Sequence, residues 1–223
     1  MPPRAVLFDF DGVLADTENV HVAAWERTFG AMGWNVDAET CARAAEVDDR
    51  AFLTEIFAAR GIQDGDVAGW VERKQAITLP LLAGSPRLYP GVVELVRWLA
   101  DRARLAIVST TWRENITVVL QGAALSDCFM TIVGKEDVAQ VKPDPAGYKL
   151  ALKRLSVAAS KSLAVEDSEG GLHAAQRAGV SCLVVGHRGP LPRKDWVGST
   201  PYLADFSDLP AALSALGFDS DPP

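Results

Sequence analysis

Short runs of apolar, largely β-branched residues alternate along this chain with stretches whose apolar positions recur every three or four residues. Ala5–Phe8, Leu105–Val108, Met130–Val133, Ser162–Val165 and Cys182–Val185 are nearly all apolar and are bounded by polar or glycine residues. Such runs predict strands buried on both faces. Val92–Arg102, Glu114–Gln121, Ala146–Leu155 and Gly171–Ala178 each carry one apolar face and predict amphipathic helices between them. Regular strand–helix alternation implies right-handed crossovers, and so an α/β fold with a doubly wound parallel sheet covered on both faces. Ligands of such sheets bind beyond the carboxyl ends of the strands, so the polar residues that follow each strand are the ones to inspect.

Residues 16–85 break the alternation. Val22, Trp25, Phe29 and Met32 fall at helical spacing, Phe52, Ile56 and Ala59 begin a second stripe, and Gly61 is a natural helix stop. Gly84-Ser85-Pro86 and Tyr89-Pro90-Gly91 punctuate the return to strand and helix. The expected organisation is an α/β domain made of residues 1–15 and 86–223, with an α-helical cap domain, 16–85, inserted after the first strand. The tail after Pro190 is rich in turn residues, and no element is assigned to it.

Composition narrows the class. With 223 residues, 48% apolar and 23% charged, the chain is long enough for a sizeable core. A formal net charge of −7 leaves no basic field for nucleic acid or an anionic membrane. No apolar stretch is long enough to span a bilayer, and no signal-peptide pattern opens the chain. Cys41, Cys128 and Cys182 are an odd number, widely spaced, and suggest neither a disulfide framework nor a structural zinc site. A cytoplasmic protein is expected, monomeric or a small homo-oligomer.

Four polar clusters follow predicted strands. Asp9-Phe10-Asp11-Gly12 closes the first: two carboxylates at alternate positions would share one strand face, a geometry suited to two acids acting on one centre, although a surface turn would use the same residues. Ser109-Thr110-Thr111 offers hydroxyls and amides for phosphate oxygens, or a helix cap. Lys142, in a loop stiffened by Pro143 and Pro145, can supply a fixed positive charge, although a solvated loop lysine would read the same. Glu166-Asp167-Ser168 places adjacent acids at a strand end, where they repel unless a cation or hydrogen-bond donors offset them, although Asp167 or Ser168 could equally cap the helix that follows. Hard oxygen ligands of this kind suit Mg²⁺.

In this order and spacing, the clusters resemble the haloacid dehalogenase superfamily across the whole main domain. Asp9 through Glu18, continuing to His21 and Trp25, looks like the branch with a helical cap that includes β-phosphoglucomutase and phosphoglycolate-type or sugar-phosphate phosphatases. The resemblance implies Asp9 as nucleophile and Asp11 as general acid and base. It implies Mg²⁺ held by Asp9, the Asp11 carbonyl and Asp167, with Glu166 beside them. Phe10, through its backbone, and Ser109, Thr110 and Lys142 would bind the phosphoryl group. Asp11 argues against dehalogenation, since a departing halide needs no proton.

The cap is expected to choose the substrate, and Thr17, His21, Arg50, Lys74 and Arg113 are the candidates for contacting it. Similar mutases carry a Gly-Val-Ser-Arg-like loop for a second phosphate. Here the nearest stretch, Ala45-Glu46-Val47-Asp48-Asp49-Arg50, is acidic. The expectation is therefore a Mg²⁺-dependent phosphatase for a small phosphorylated metabolite, working through an aspartyl-phosphate. A phosphomutase and a non-catalytic binding protein of the same fold are the alternatives.

Overall fold

An apolar tetrapeptide can bury all its side chains only between two covering layers, and Ala5–Phe8 lies in that position, every residue buried. The computed structural model describes residues 1–45, 48–84, 87–187 and 194–218. Six parallel strands form one sheet: β1 (Ala5–Phe8), β2 (Arg104–Val108), β3 (Thr131–Val133), β4 (Ser162–Glu166), β5 (Ser181–Val185) and β6 (Tyr202–Leu203). Their order is β3-β2-β1-β4-β5-β6. β1 is central and pairs with both β2 and β4, Phe8 standing opposite Ile107 and Val165. The chain builds outward from β1 on one side and then returns to build on the other, so the connectivity reverses between β1 and β4.

Helices cover both sides of the sheet. The helices Ala146–Leu155 and Glu169–Arg177 bury Tyr148, Ala151, Leu155, Leu172 and Ala175 against Ala5, Leu7, Ala106 and Ala164. The expected helix Ala146–Leu155 and strand Ala5–Phe8 are found with those bounds. Met130, read as the start of β3, is instead 63% exposed and the strand begins at Thr131. β6 has no counterpart among the sequence expectations. It is two half-buried residues whose pairing with Val184 and Val185 makes them a strand.

The chain divides into two compact units, residues 1–16 with 86–223, and residues 17–85. Asp16, assigned to the cap from sequence, belongs with the sheet: its amide donates to the Arg87 carbonyl at 2.8 Å, joining the outgoing and returning segments. Ser85 and Pro86, at the other expected boundary, lie outside the described residues, as do 188–193 and 219–223. The inserted unit is helical as expected, with Glu18–Ala31, Ala38–Ala42, Asp49–Ala59 and Val67–Gly84 its α-helices. Its core contains Trp25, Phe29, Phe52 and Leu53, all fully buried, while Val22 and Met32 of the predicted stripe pack at the edge.

Candidate active site

β1 ends at Phe8, so neither Asp9 nor Asp11 is a strand residue. Strand alternation is therefore not what places them; a turn is. The Asp9 amide still donates to the Val165 carbonyl at 2.9 Å, which keeps Asp9 in register with β4. Beyond it, the Phe10 carbonyl accepts from the amides of Val13, Leu14 and Ala15, and Gly12 takes φ +88°, a left-handed conformation that glycine adopts without a Cβ clash. The Phe10 side chain is fully buried and anchors this turn.

The turn sits where the sheet connectivity reverses, and β4 delivers Glu166 and Asp167 beside it. The loop before Ala146–Leu155 brings in Lys142. Its ammonium lies 2.6 Å from Asp9 Oδ1 and 2.7 Å from Glu166 Oε1, with the side chains of all three one-tenth exposed or less. Burial by itself would lower the Lys142 pKa, but the carboxylates of Asp9 and Glu166 outweigh it and hold the ammonium above the usual lysine range. Burial drives Glu166 the other way, pushing its carboxyl up, and the charge of Asp9 adds to that while Lys142 opposes it.

Asp9, Glu166 and Asp167 each offer an oxygen within 4.8 Å of the others. Glu166 Oε2 is buried and has no hydrogen-bond partner among the described residues. A buried carboxylate oxygen left in that state is costly unless a cation meets it. Three hard oxygen donors around one point fit a divalent cation, which makes this the candidate metal centre.

Ser109 follows β2 and is buried. Its hydroxyl oxygen accepts from the Thr111 amide at 3.1 Å and lies 3.5 Å from Asp11 Oδ2, whereas the adjacent Thr110 is exposed. Phe10, Ser109 and Lys142 thus gather with Asp9 and Asp11 around the ends of β1, β2 and β4. Arg113 is engaged by acids. Its guanidinium bonds Asp137, which Arg154 also meets at 2.8 Å, and its amide is 3.1 Å from Glu136.

Of the expected cap residues, His21 and Lys74 meet inside the helical unit, together with Asp49. Lys74, only 2% exposed, places Nζ 3.1 Å from both Asp49 oxygens and 3.1 Å from His21 Nδ1. Thr17 is buried at the start of Glu18–Ala31, its carbonyl accepting from the amides of Val20 and His21. Arg50 is exposed, and its amide donates to Asp48, the cap of Asp49–Ala59. Glu46 and Val47 lie outside the described residues.

Sequence reading passed over Tyr148. It is wholly buried, and its hydroxyl donates to Glu166 Oε1. The signal was available: a tyrosine in the apolar stripe Tyr148, Ala151, Leu152, Leu155 must find a buried acceptor for its hydroxyl. The acceptor comes from a distant strand, so periodicity could not name it.

A sequence model of the haloacid dehalogenase-like hydrolases matches residues 6–185. Protein CbbY of Rhodobacter capsulatus is 35% identical over 81% of this chain and 84% of its own. A phosphorylated carbohydrates phosphatase of Thermotoga maritima is 30% identical over 79% and 82%. The crystal structure of CbbY from Rhodobacter sphaeroides in complex with phosphate superposes with a TM-score of 0.80 at 30% identity, covering 93% of this chain and 96% of that one. A mutant of the same protein, solved with xylulose-(1,5)bisphosphate, gives a TM-score of 0.78 at 29% identity with the same coverage.

Proposed function

The chain belongs to the haloacid dehalogenase-like hydrolases, and from that premise we propose that it is a Mg²⁺-dependent phosphatase of small phosphorylated metabolites, sugar phosphates foremost. The observation that carries this reading is the Lys142 ammonium shared between Asp9 and Glu166 where the sheet connectivity reverses, with Asp167 alongside.

A carboxylate approaching a phosphate dianion at about 4 Å faces repulsion on the order of 8 kcal/mol at an effective dielectric of 20. Lys142, buried and held charged by its neighbours, offsets part of that at the attacking atom. Asp9 attacks phosphorus, forming the aspartyl-phosphate as the bond to the leaving alkoxide breaks. Asp11 gives its proton to that alkoxide, then takes one from water as the water attacks phosphorus. Inorganic phosphate leaves and Asp9 is restored. Ser109 and the amides after Asp9 bind the phosphoryl oxygens. Asp9, Asp167, Glu166 and the Asp11 carbonyl would hold Mg²⁺, whose charge would stabilise the transferring oxygens.

The helical unit supports a monophosphate over a bisphosphate and over a phosphomutase reaction. Its buried cation, Lys74, is already balanced by Asp49, in the stretch where similar mutases carry an arginine. The CbbY complex makes xylulose 1,5-bisphosphate the informative competitor.

The test is phosphate release with Mg²⁺ from a panel of sugar monophosphates, phosphoglycolate and xylulose 1,5-bisphosphate. Release is expected from at least one monophosphate, and Asp9→Asn is expected to abolish it while leaving the protein folded. Silence across the panel would sink the reading. A marked preference for the bisphosphate would overturn the monophosphate part alone.

A further inference from the structure

Glu166 is more tightly held than a metal ligand requires. Its side chain is fully buried, and Oε1 receives two donors at once, Lys142 Nζ at 2.7 Å and the Tyr148 hydroxyl. Tyr148 is itself fully buried in the core against Ala106, Val108 and Val133, with the Lys142 ammonium 5.7 Å from its ring centroid. The other oxygen, Oε2, is the one with no hydrogen-bond partner among the described residues. Space for it comes from Gly171, where a Cβ would stand 1.9 Å from Oε2.

A carboxylate rotates about its terminal bond in a broad, roughly two-fold well. With Lys142 as its one donor, Glu166 could turn so that both oxygens face the ammonium. A second donor, fixed by a packed ring, removes that freedom: Oε1 is pinned, and the direction of Oε2 follows. We propose that Tyr148 is a positioning residue, whose hydroxyl locks Glu166 so that Oε1 holds Lys142 against Asp9 while Oε2 is presented to a divalent cation shared with Asp9 and Asp167. The inference rests on the phosphatase reading for its consequence in turnover, but not for its geometry.

The test is Tyr148→Phe in the full-length protein, which keeps the ring in the core and removes only the donor. Groups that orient metal ligands are typically worth 10- to 100-fold in affinity or activity. The Mg²⁺ dissociation constant, measured by calorimetry, is expected to rise about tenfold or more. At saturating Mg²⁺, kcat is expected to fall with KM held within about twofold, the split that marks an interaction made in the transition state. In Glu166→Gln, adding Tyr148→Phe is expected to cost nothing further, because Tyr148 acts through the carboxylate; an equal cost in both backgrounds would make it merely structural and overturn the proposal. A crystal structure of Tyr148→Phe reads the same claim without turnover or metal: a rotated Glu166 carboxylate supports it, and an unmoved one overturns it. Wild-type Mg²⁺ binding and turnover in Tyr148→Phe would defeat the positioning role and leave the phosphatase reading standing. A wild-type protein that releases no phosphate would defeat that reading, with the crystal structure still deciding the role of Tyr148.

Discussion

Asp9 and Asp11 are neighbours in sequence and keep different company in space. Asp9 is 7% exposed and ion-paired at 2.6 Å, while Asp11 is half-buried with the Ser109 hydroxyl 3.5 Å away. That difference suits one for attack and the other for moving a proton between water and leaving group. Positioned acid–base groups contribute about 10²- to 10⁴-fold, so Asp11→Asn should lower kcat on a sugar phosphate by that much. With p-nitrophenyl phosphate, whose leaving group departs without a proton, the first step should be spared and a burst of p-nitrophenol should precede slow turnover. Equal losses on both substrates, without a burst, would remove Asp11 from the acid role. The two aspartates stood out in sequence as candidates because paired acids beside an apolar strand are poor packing material, and the turn that was the alternative reading is the one that places them. Tyr148 did not, since its hydroxyl matters only once Glu166 has been brought to it.

Among the elements, the segments after β2 and β3 are tied together through Asp137. It accepts from Arg113, from Arg154 at 2.8 Å and from the Gly134 amide at 2.9 Å. Burial alone would raise its pKa, but the bonds from Arg113 and Arg154 and from the Gly134 amide prevail and bring it down to about 2. Arg113, a substrate candidate in sequence, is thereby tied to Asp137 at the start of the helix Arg113–Gly122. A group whose pKa is depressed on folding adds stability above its unfolded value, near 4, and that stability is lost as pH falls toward 2. In full the shift would be worth about 2 kcal/mol. Screening across Arg113 and Arg154, whose side chains are 43% and 35% exposed, leaves about 1 kcal/mol. Asp137→Asn should therefore cost about 1 kcal/mol in urea denaturation at pH 6, with the gap to wild type narrowing by pH 3. A gap independent of pH would mean that the charge of Asp137 contributes nothing. His187 is stacked on Tyr89 with centroids 4.1 Å apart and edged by Phe206, and burial depresses its pKa. No local pattern announces such a sandwich, because its members come from three separate segments.

At the scale of the molecule, two units each carry a core of their own. In the helical unit Phe52 is fully buried and meets the Trp25 ring edge-on at 5.1 Å. Phe52→Ala should cost that unit about 3–5 kcal/mol. Denaturation followed by tryptophan fluorescence should then show an early transition for the helical unit and an unshifted one for the sheet. A single transition displaced as a whole would show that the two units unfold together. The sheet's central strands were legible because burial on both faces demands unbroken apolar runs, as in β1 and β5. β6 escaped because an edge strand of two half-buried residues makes no such demand.

What the sequence determined by itself was local in origin: which runs must be buried on both faces, where a helical segment interrupts them, and which charged residues stand after strands. These follow from side-chain hydrophobicity and backbone geometry over a few neighbours. Tertiary structure decided the strand order that sets β1 beside β4, and with it the meeting of Lys142 with Asp9 and Glu166. It also tied Arg113 to Asp137, paired Lys74 with Asp49 and gave Tyr148 a carboxylate to hold. Each of these depends on electrostatics and packing between residues far apart in the chain, whose interaction energy exists only at distances that the fold supplies.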